Sequence, residues 1–212
     1  MTTANKITIA RILMIPVFIL LAIYYGRGLQ RGTPEDWHRW AAIAVFLIAA
    51  ASDGVDGYIA RAYNQRSQLG VVLDPIADKG LLLSGIITLS FCNWSYEFPL
   101  WFPVLVIARD IVIVAGALIL HFLNGTVRVR PSWTGKVATF LQRAAIGLCM
   151  LQTNFFAKTI AFGTTTREVH LIDLVVYLAG LFTLVSGFGY VVEGIGQLHS
   201  KGHGDPKSWN EI

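Results

Sequence analysis

Apolar residues in this chain run in long blocks separated by short polar connections. The blocks extend approximately from Ile7 to Tyr25, Trp37 to Ala60, Val71 to Phe91, Phe98 to Phe122, Thr134 to Ala157 and Val169 to Gln197. Each is close to the roughly 20 apolar residues that an α-helix needs to cross a hydrocarbon core. The pattern predicts an all-α integral membrane protein with six transmembrane helices. Gly26-Arg27-Gly28, Gly32-Thr33-Pro34, Asn93 to Pro99 and Gly163 to Arg167 read as the connecting loops. No repeat or linker divides the chain, so one membrane domain is expected over residues 1–200, followed by a short polar tail over 201–212.

Composition agrees: 54% of the 212 residues are apolar and only 14% are charged, which is wrong for a water-soluble domain of this length. The first block carries Arg11 and Pro16, runs longer than a secretion signal and lacks a small-residue cleavage pattern, so it is expected to be retained. Cys92 and Cys149 lack the spacing of a metal knuckle or disulfide framework and read as packing residues. Trp37, Trp40, Trp94, Trp101 and Trp133 sit near predicted membrane boundaries and read as interfacial anchors.

The net charge of +4 reflects topology. Lys6, Arg11, Arg61, Arg66, Arg128, Arg130, Lys136, Lys201 and Lys207 fall on one side, against Arg27, Arg31, Arg39, Lys158 and Arg167 on the other. The excess favours both termini in the cytoplasm. A bacterial inner membrane is the expected location. No nucleic-acid recognition motif is present.

Asp near the middle of a membrane helix costs on the order of 3 kcal/mol on insertion scales, yet this chain gathers four. Asp53 and Asp56 are three residues apart, and Asp74 and Asp78 are four apart, so each pair shares a helix face. The Ala62 to Leu69 connection is short and polar, which makes the second and third helices an antiparallel hairpin and lets the four carboxylates converge. Such a cluster repels itself unless cations bind within it. Oxygen-only ligands favour Mg²⁺ or Mn²⁺, and four carboxylates suit two ions about 4 Å apart, an arrangement fitted to displacement at phosphorus. Gly57, Gly70 and, more weakly, Ala60 leave room for a nucleotide to approach the helix backbone. Arg61 is placed either to meet a phosphate or to anchor the helix on the positive side.

The string Asp53-x-x-Asp56-Gly57-x-x-Ala60-Arg61, eight residues, then Gly70-x-x-x-Asp74-x-x-x-Asp78 resembles without gap or substitution the signature of the CDP-alcohol phosphatidyltransferases. The likeness continues in Asn5-x-x-Thr8-x-x-Arg11, in Arg109-Asp110 and in Gly135-Lys136-x-x-Thr139-x-x-Gln142. The resemblance implies the fold of that family and a homodimer. It also implies that the first three Asp residues hold two metals, that Gly57, Ala60, Arg61 and Gly70 contact the CDP moiety, and that Asp78 also acts as base. The expected reaction transfers a phosphatidyl group from CDP-diacylglycerol to a polar alcohol, with release of CMP and with the acyl chains left among the membrane lipids.

Two branches share these features. One uses glycerol 3-phosphate, and the other, making cardiolipin, uses phosphatidylglycerol. Glycerol 3-phosphate is the expected acceptor, although a second Arg common in that branch is Ala117 here. Arg109, Arg128, Arg130 and Lys136 are the candidate cations for the acceptor. Arg109 and Asp110 are adjacent, point to different helix faces and are expected to have different partners.

Thr139 and Gln142 either line the site or join helices. Asn5, Thr8 and Arg11 either cap the first helix or line the nucleotide site. Asp173 and Glu193 are expected at loops, helix ends or a dimer contact. A cation transporter is the alternative of another class, since transporters also bury acids. It would continue its polar positions through the other helices, whereas the motif acids here gather at one end of a hairpin.

Overall fold

The structure is a computed structural model that describes residues 3–62, 68–124, 132–151, 158–162, 165–169 and 171–200, with side chains described over 5–52, 73–119, 122, 132–151 and 171–196. The apolar blocks form six helices: α1 (Thr3–Gln30), α2 (Asp36–Ala62), α3 (Gln68–Phe91), α4 (Trp101–Asn124), α5 (Trp133–Leu151) and α6 (Leu171–Ser200). Among the described residues α1, α4 and α6 contain stretches long and apolar enough to cross a membrane. Asp74, Asp78 and Lys79 interrupt α3, and Lys136 and Arg143 interrupt α5.

Two loop expectations are corrected. Gly26-Arg27-Gly28 lies inside α1, because the helix runs on to a Gly-terminated cap at Gly32. There φ is +71°, Gly32 N–H donates to Leu29 O, and Thr33 N–H donates to Gly28 O at 3.0 Å. This is the arrangement by which a left-handed glycine satisfies the last carbonyls of a helix. The connection from α5 to α6 is also more ordered than a loop. β1 (Lys158–Phe162) pairs antiparallel with β2 (Thr165–Val169), with Lys158 opposite Val169 and Phe162 opposite Thr165. β-branched residues are frequent in both strands, which favours extended backbone there. Residues 152–157 lie outside the described residues.

Side-chain pairings give the direction of each helix. Tyr24 stacks on His38, Phe18 meets Phe46 and Arg11 meets Ser52, so α2 runs antiparallel to α1. Thr8 bonds Asp74 and Gly26 abuts Cys92, so α3 runs parallel to α1. Lys79 meets Asp110, and Phe98 N–H reaches back to Leu89 O, which makes α4 antiparallel to α3. Ser132 lies by Tyr190 and Gln142 by Thr183, so α6 is antiparallel to α5. The helices therefore alternate. The opening turns of α1, α3 and α5 share one end with the closing turns of α2, α4 and α6. The expected hairpin of α2 and α3 has the right sense, but α2 packs mainly on α1, which also packs on α3.

The core contains Phe18, Phe46, Leu82, Ile86, Phe102, Ile146, Met150 and Val176. The outside is equally apolar: Leu20, Val114, Phe122, Phe140, Leu184 and Phe188 are exposed, while Thr8, Arg11, Gln142, Thr183 and Ser186 are buried. An apolar exterior around a partly polar interior is stable in lipid, not in water. Together with the three helices long and apolar enough to cross a membrane, it makes the chain an integral membrane protein.

At the end opposite the acids, Trp94 corrects the anchor expectation. It is buried, donates its indole N–H to Ala22 O at 3.1 Å and meets Tyr25 edge-on, whereas Trp37, Trp40, Trp101 and Trp133 are exposed. Beside it the Tyr96 hydroxyl donates to Asp173 at 2.6 Å, tying the α3–α4 loop to the first turn of α6, as expected for Asp173. Burial and that bond push the Tyr96 phenol well above its ordinary range, so it remains a donor. Cys149 is buried and Cys92 half-buried, as packing residues.

Gly26 is where α1 touches the loop after α3. A Cβ there would fall 1.8 Å from the Cys92 carbonyl oxygen. Gly26→Ala is expected to destabilise by about 2 kcal/mol, because backbone on both sides must move. Gly116→Ala in α4, where a Cβ meets nothing within 4 Å, should be neutral or slightly stabilising. Thermal unfolding of both variants in detergent checks this, and equal midpoints would contradict the packing.

Candidate active site

The site is assembled from charges on α3 that reach three different helices. Asp74 and Asp78 are one turn apart, and Lys79 lies about 100° round the helix from Asp78. Asp74 Oδ1 accepts a hydrogen bond of 2.7 Å from the buried Thr8 hydroxyl of α1. On the next turn of α1, Arg11 is 1% exposed and donates Nε–H to Ser52 Oγ at 3.1 Å, while the Ser52 hydroxyl donates to Ala49 O. Asn5 is buried as well. Asn5, Thr8 and Arg11 all lie within α1 (Thr3–Gln30). They face inward at the end that holds the acids.

Asp53, Asp56, Gly57, Ala60 and Arg61 belong to the closing turns of α2, and Gly70 to the opening of α3. Their backbone is at the same end as Asp74 and Asp78, as the hairpin predicts, but their side chains lie outside the described residues. Arg128 and Arg130 lie outside them entirely. Among the described residues no group of three or more His, Cys, Asp or Glu gathers as a metal site. What is described fits a hard divalent cation: the donors are carboxylate oxygens. Thr8 also fixes Asp74 by a hydrogen bond to one oxygen, as outer partners commonly fix a metal-binding carboxylate.

Sequence reasoning missed Arg143. It ion-pairs with Asp78 from α5. The signal was available, since a lone Arg within an apolar helix calls for a named partner.

Arg109 and Asp110 have the separate partners expected of them and also meet each other. Arg109 folds back along its own helix to give Nη1–H to Asp110 Oδ1 at 2.8 Å, and Lys79 Nζ reaches the same oxygen at 2.5 Å. The reach of the Arg side chain outweighs the divergence of neighbouring Cβ directions. Arg109 also donates from Nη2 to Ser186 Oγ at 3.0 Å and lies 5.7 Å from the centre of the Tyr190 ring. Arg109 Nε and Asp110 Oδ2 are buried without a hydrogen-bond partner among the described residues. Gly135 makes this arrangement possible, since a Cβ there would meet Arg109 Nη2 at 2.9 Å and Ser186 Oγ at 3.1 Å.

Ser132 caps α5 by accepting from Gly135 N–H at 3.2 Å. Lys136 is exposed at the same end. Gln142 joins α5 to α6 through Thr183 at 2.8 Å, whereas the Thr139 hydroxyl bonds the Gly135 and Lys136 carbonyls of its own helix.

Comparison with known proteins bears on this arrangement. The family model described as CDP-alcohol phosphatidyltransferase matches residues 1–186. A probable phosphatidylglycerophosphate synthase of Mycobacterium tuberculosis is 34% identical over 194 residues, covering 91% of this chain and 81% of that protein. A CDP-diacylglycerol–glycerol-3-phosphate 3-phosphatidyltransferase of Bacillus subtilis is 31% identical over 199 residues, covering 88% and 91%. A protein of the same description from Escherichia coli K12 is 32% identical over 154 residues, covering 72% and 78%.

Asp110 carries two cations, so its loss should cost more than the loss of the exposed Lys79 charge alone. Asp110→Asn is expected to lower the unfolding free energy by about 2 kcal/mol, since it strands the mostly buried Arg109. Lys79→Gln should cost less, because Lys79 is 43% exposed and water screens its charge. Unfolding of the two variants in detergent measures the difference, and equal effects would contradict this ranking.

Proposed function

The chain belongs to the CDP-alcohol phosphatidyltransferase family and is a membrane-embedded transferase of phospholipid biosynthesis; on that premise we propose that it moves the phosphatidyl group of CDP-diacylglycerol to glycerol 3-phosphate, releasing CMP and phosphatidylglycerol phosphate. The observation that carries the acceptor assignment is the agreement of relatives from three organisms, all named for phosphatidylglycerophosphate synthesis or for transfer to glycerol 3-phosphate. Lys79 and Arg109 support it, because two cations against the single carboxylate of Asp110 leave a positive balance suited to an anionic acceptor. Arg109, Lys136, Arg128 and Arg130 are the residues assigned to that acceptor, and they compensate for Ala117.

Asp53, Asp56, Asp74 and Asp78 would hold two Mg²⁺ or Mn²⁺ ions, which supply charge neutralisation at the phosphoryl oxygens. Gly57, Ala60, Arg61 and Gly70 receive the CDP moiety. Asp78 takes the proton of the acceptor hydroxyl as that oxygen bonds to the lipid-bearing phosphorus. The bond from that phosphorus to the CMP oxygen breaks, and CMP leaves with the electron pair. Thr8 keeps Asp74 oriented.

Residues 1–200 act as one domain of six spans, with 201–212 as a tail, in a homodimer of the bacterial inner membrane with both termini and the site in the cytoplasm. The alternating helix directions and the apolar exterior support six spans.

The deciding assay is CMP release by purified protein with CDP-diacylglycerol and Mg²⁺ or Mn²⁺, supplying glycerol 3-phosphate, phosphatidylglycerol or inositol phosphate in parallel. Glycerol 3-phosphate is expected to drive turnover, and Asp74→Asn to lower it by about a hundredfold or more. Turnover with phosphatidylglycerol alone would reassign the chain to cardiolipin synthesis. No turnover with any acceptor, together with cation flux in liposomes, would overturn the reading.

A further inference from the structure

Asp78 differs from its neighbour one turn earlier. Asp74 is met by the neutral hydroxyl of Thr8, whereas Asp78 already carries the guanidinium of Arg143. Lys79, the next cation along α3, is engaged by Asp110 on α4. Arg143 is held in place by the residue before it. Gln142 donates to Thr183, whose hydroxyl in turn donates to Ala179 O, so the α5 backbone is fixed against α6 where Arg143 leaves it. The pair is accessible, with about a third of each side chain exposed: 33% for Arg143 and 32% for Asp78. An ion pair so placed exchanges readily, because water screens it and both ends can be resolvated.

We propose that Arg143 is a competing counter-ion, which neutralises Asp78 while no divalent cation is bound and must leave that carboxylate before the cation can take it. The inference rests on the reading that Asp78 belongs to a divalent-cation site. A divalent cation on the Asp78 carboxylate would lie close to the Arg143 guanidinium, and its double charge makes that repulsion larger than the one Lys79 and Arg109 sustain on Asp110. Whatever the guanidinium contributes to the cation-free protein is therefore subtracted from cation affinity, and by linkage the cation weakens the α3–α5 contact to the same extent. Arg143 thus lets the acidic end fold without metal, at the expense of tighter binding. Its permanent charge suits this task, since the guanidinium does not lose its proton as pH changes.

The test is Mn²⁺ titration of the detergent-purified protein, read both by electron paramagnetic resonance of free Mn²⁺ and by the thermal midpoint with and without Mn²⁺. Arg143→Gln should bind Mn²⁺ about fivefold more tightly than wild type, have a lower midpoint without Mn²⁺ and gain more stability on adding it. Arg143→Lys should return towards wild type in both readouts. Arg143→Met keeps part of the apolar stem and gives the same comparison should the Gln variant fail to fold. Unchanged or weaker Mn²⁺ binding in the neutral variants overturns the competition while leaving the cation site intact. Failure of wild type to bind Mn²⁺ at all overturns the cation site itself, and the competition with it.

Discussion

A charge inside an apolar bundle must find a partner on another helix, and this requirement organises the molecule around α3. Asp74, Asp78 and Lys79 fall within five residues of one another and engage Thr8 of α1, Arg143 of α5 and Asp110 of α4. Because α3 is helical, Asp74 and Asp78 leave one face a turn apart in depth, and Lys79 leaves it about 100° round from Asp78. Each of the three neighbours is thereby set in depth and rotation. Apolar packing alone would not do this, since lipid is as good a solvent for Leu as another helix is.

The remaining polar contacts extend the same belt. Arg11 joins α1 to α2 through Ser52, Arg109 joins α4 to α6 through Ser186, and Gln142 joins α5 to α6 through Thr183. Interior polarity is concentrated at the end where α1, α3 and α5 begin. The opposite end is closed by Trp94, Tyr96 and Phe98 in the α3–α4 loop, with the indole and phenol each bonded to a helix. The result is a bundle closed by aromatic packing at one end and charged at the other. A lipid-linked nucleotide can present its headgroup at the charged end while its chains stay against the apolar exterior.

Arg109, proposed above to meet the acceptor, is held by the same constraint. It is 9% exposed, has no hydrogen-bond partner for Nε among the described residues, and is fixed by Asp110, Ser186 and the ring of Tyr190. A guanidinium held by three side chains has little freedom left to lose on meeting a ligand. Gly135 is part of that arrangement, although it carries no charge and makes no contact a sequence motif would reveal.

The sequence by itself determined what depends on spacing along one chain: the helical blocks, the shared face of Asp74 and Asp78, the placement of Asp53 and Asp56 on the helix that returns to the same end, and hence the family. Local spacing suffices there, because a helix turns 100° per residue whatever surrounds it. Only the tertiary structure decided which side chains meet between helices. Arg143 on Asp78, Lys79 and Arg109 together on Asp110, and Trp94 inside the core depend on the rotation and depth of one helix against another. The need for glycine at position 26 depends likewise on the Cys92 carbonyl of a loop distant in sequence, which leaves no room for a Cβ. Those variables are set by all the helices at once, so no window of sequence contains them.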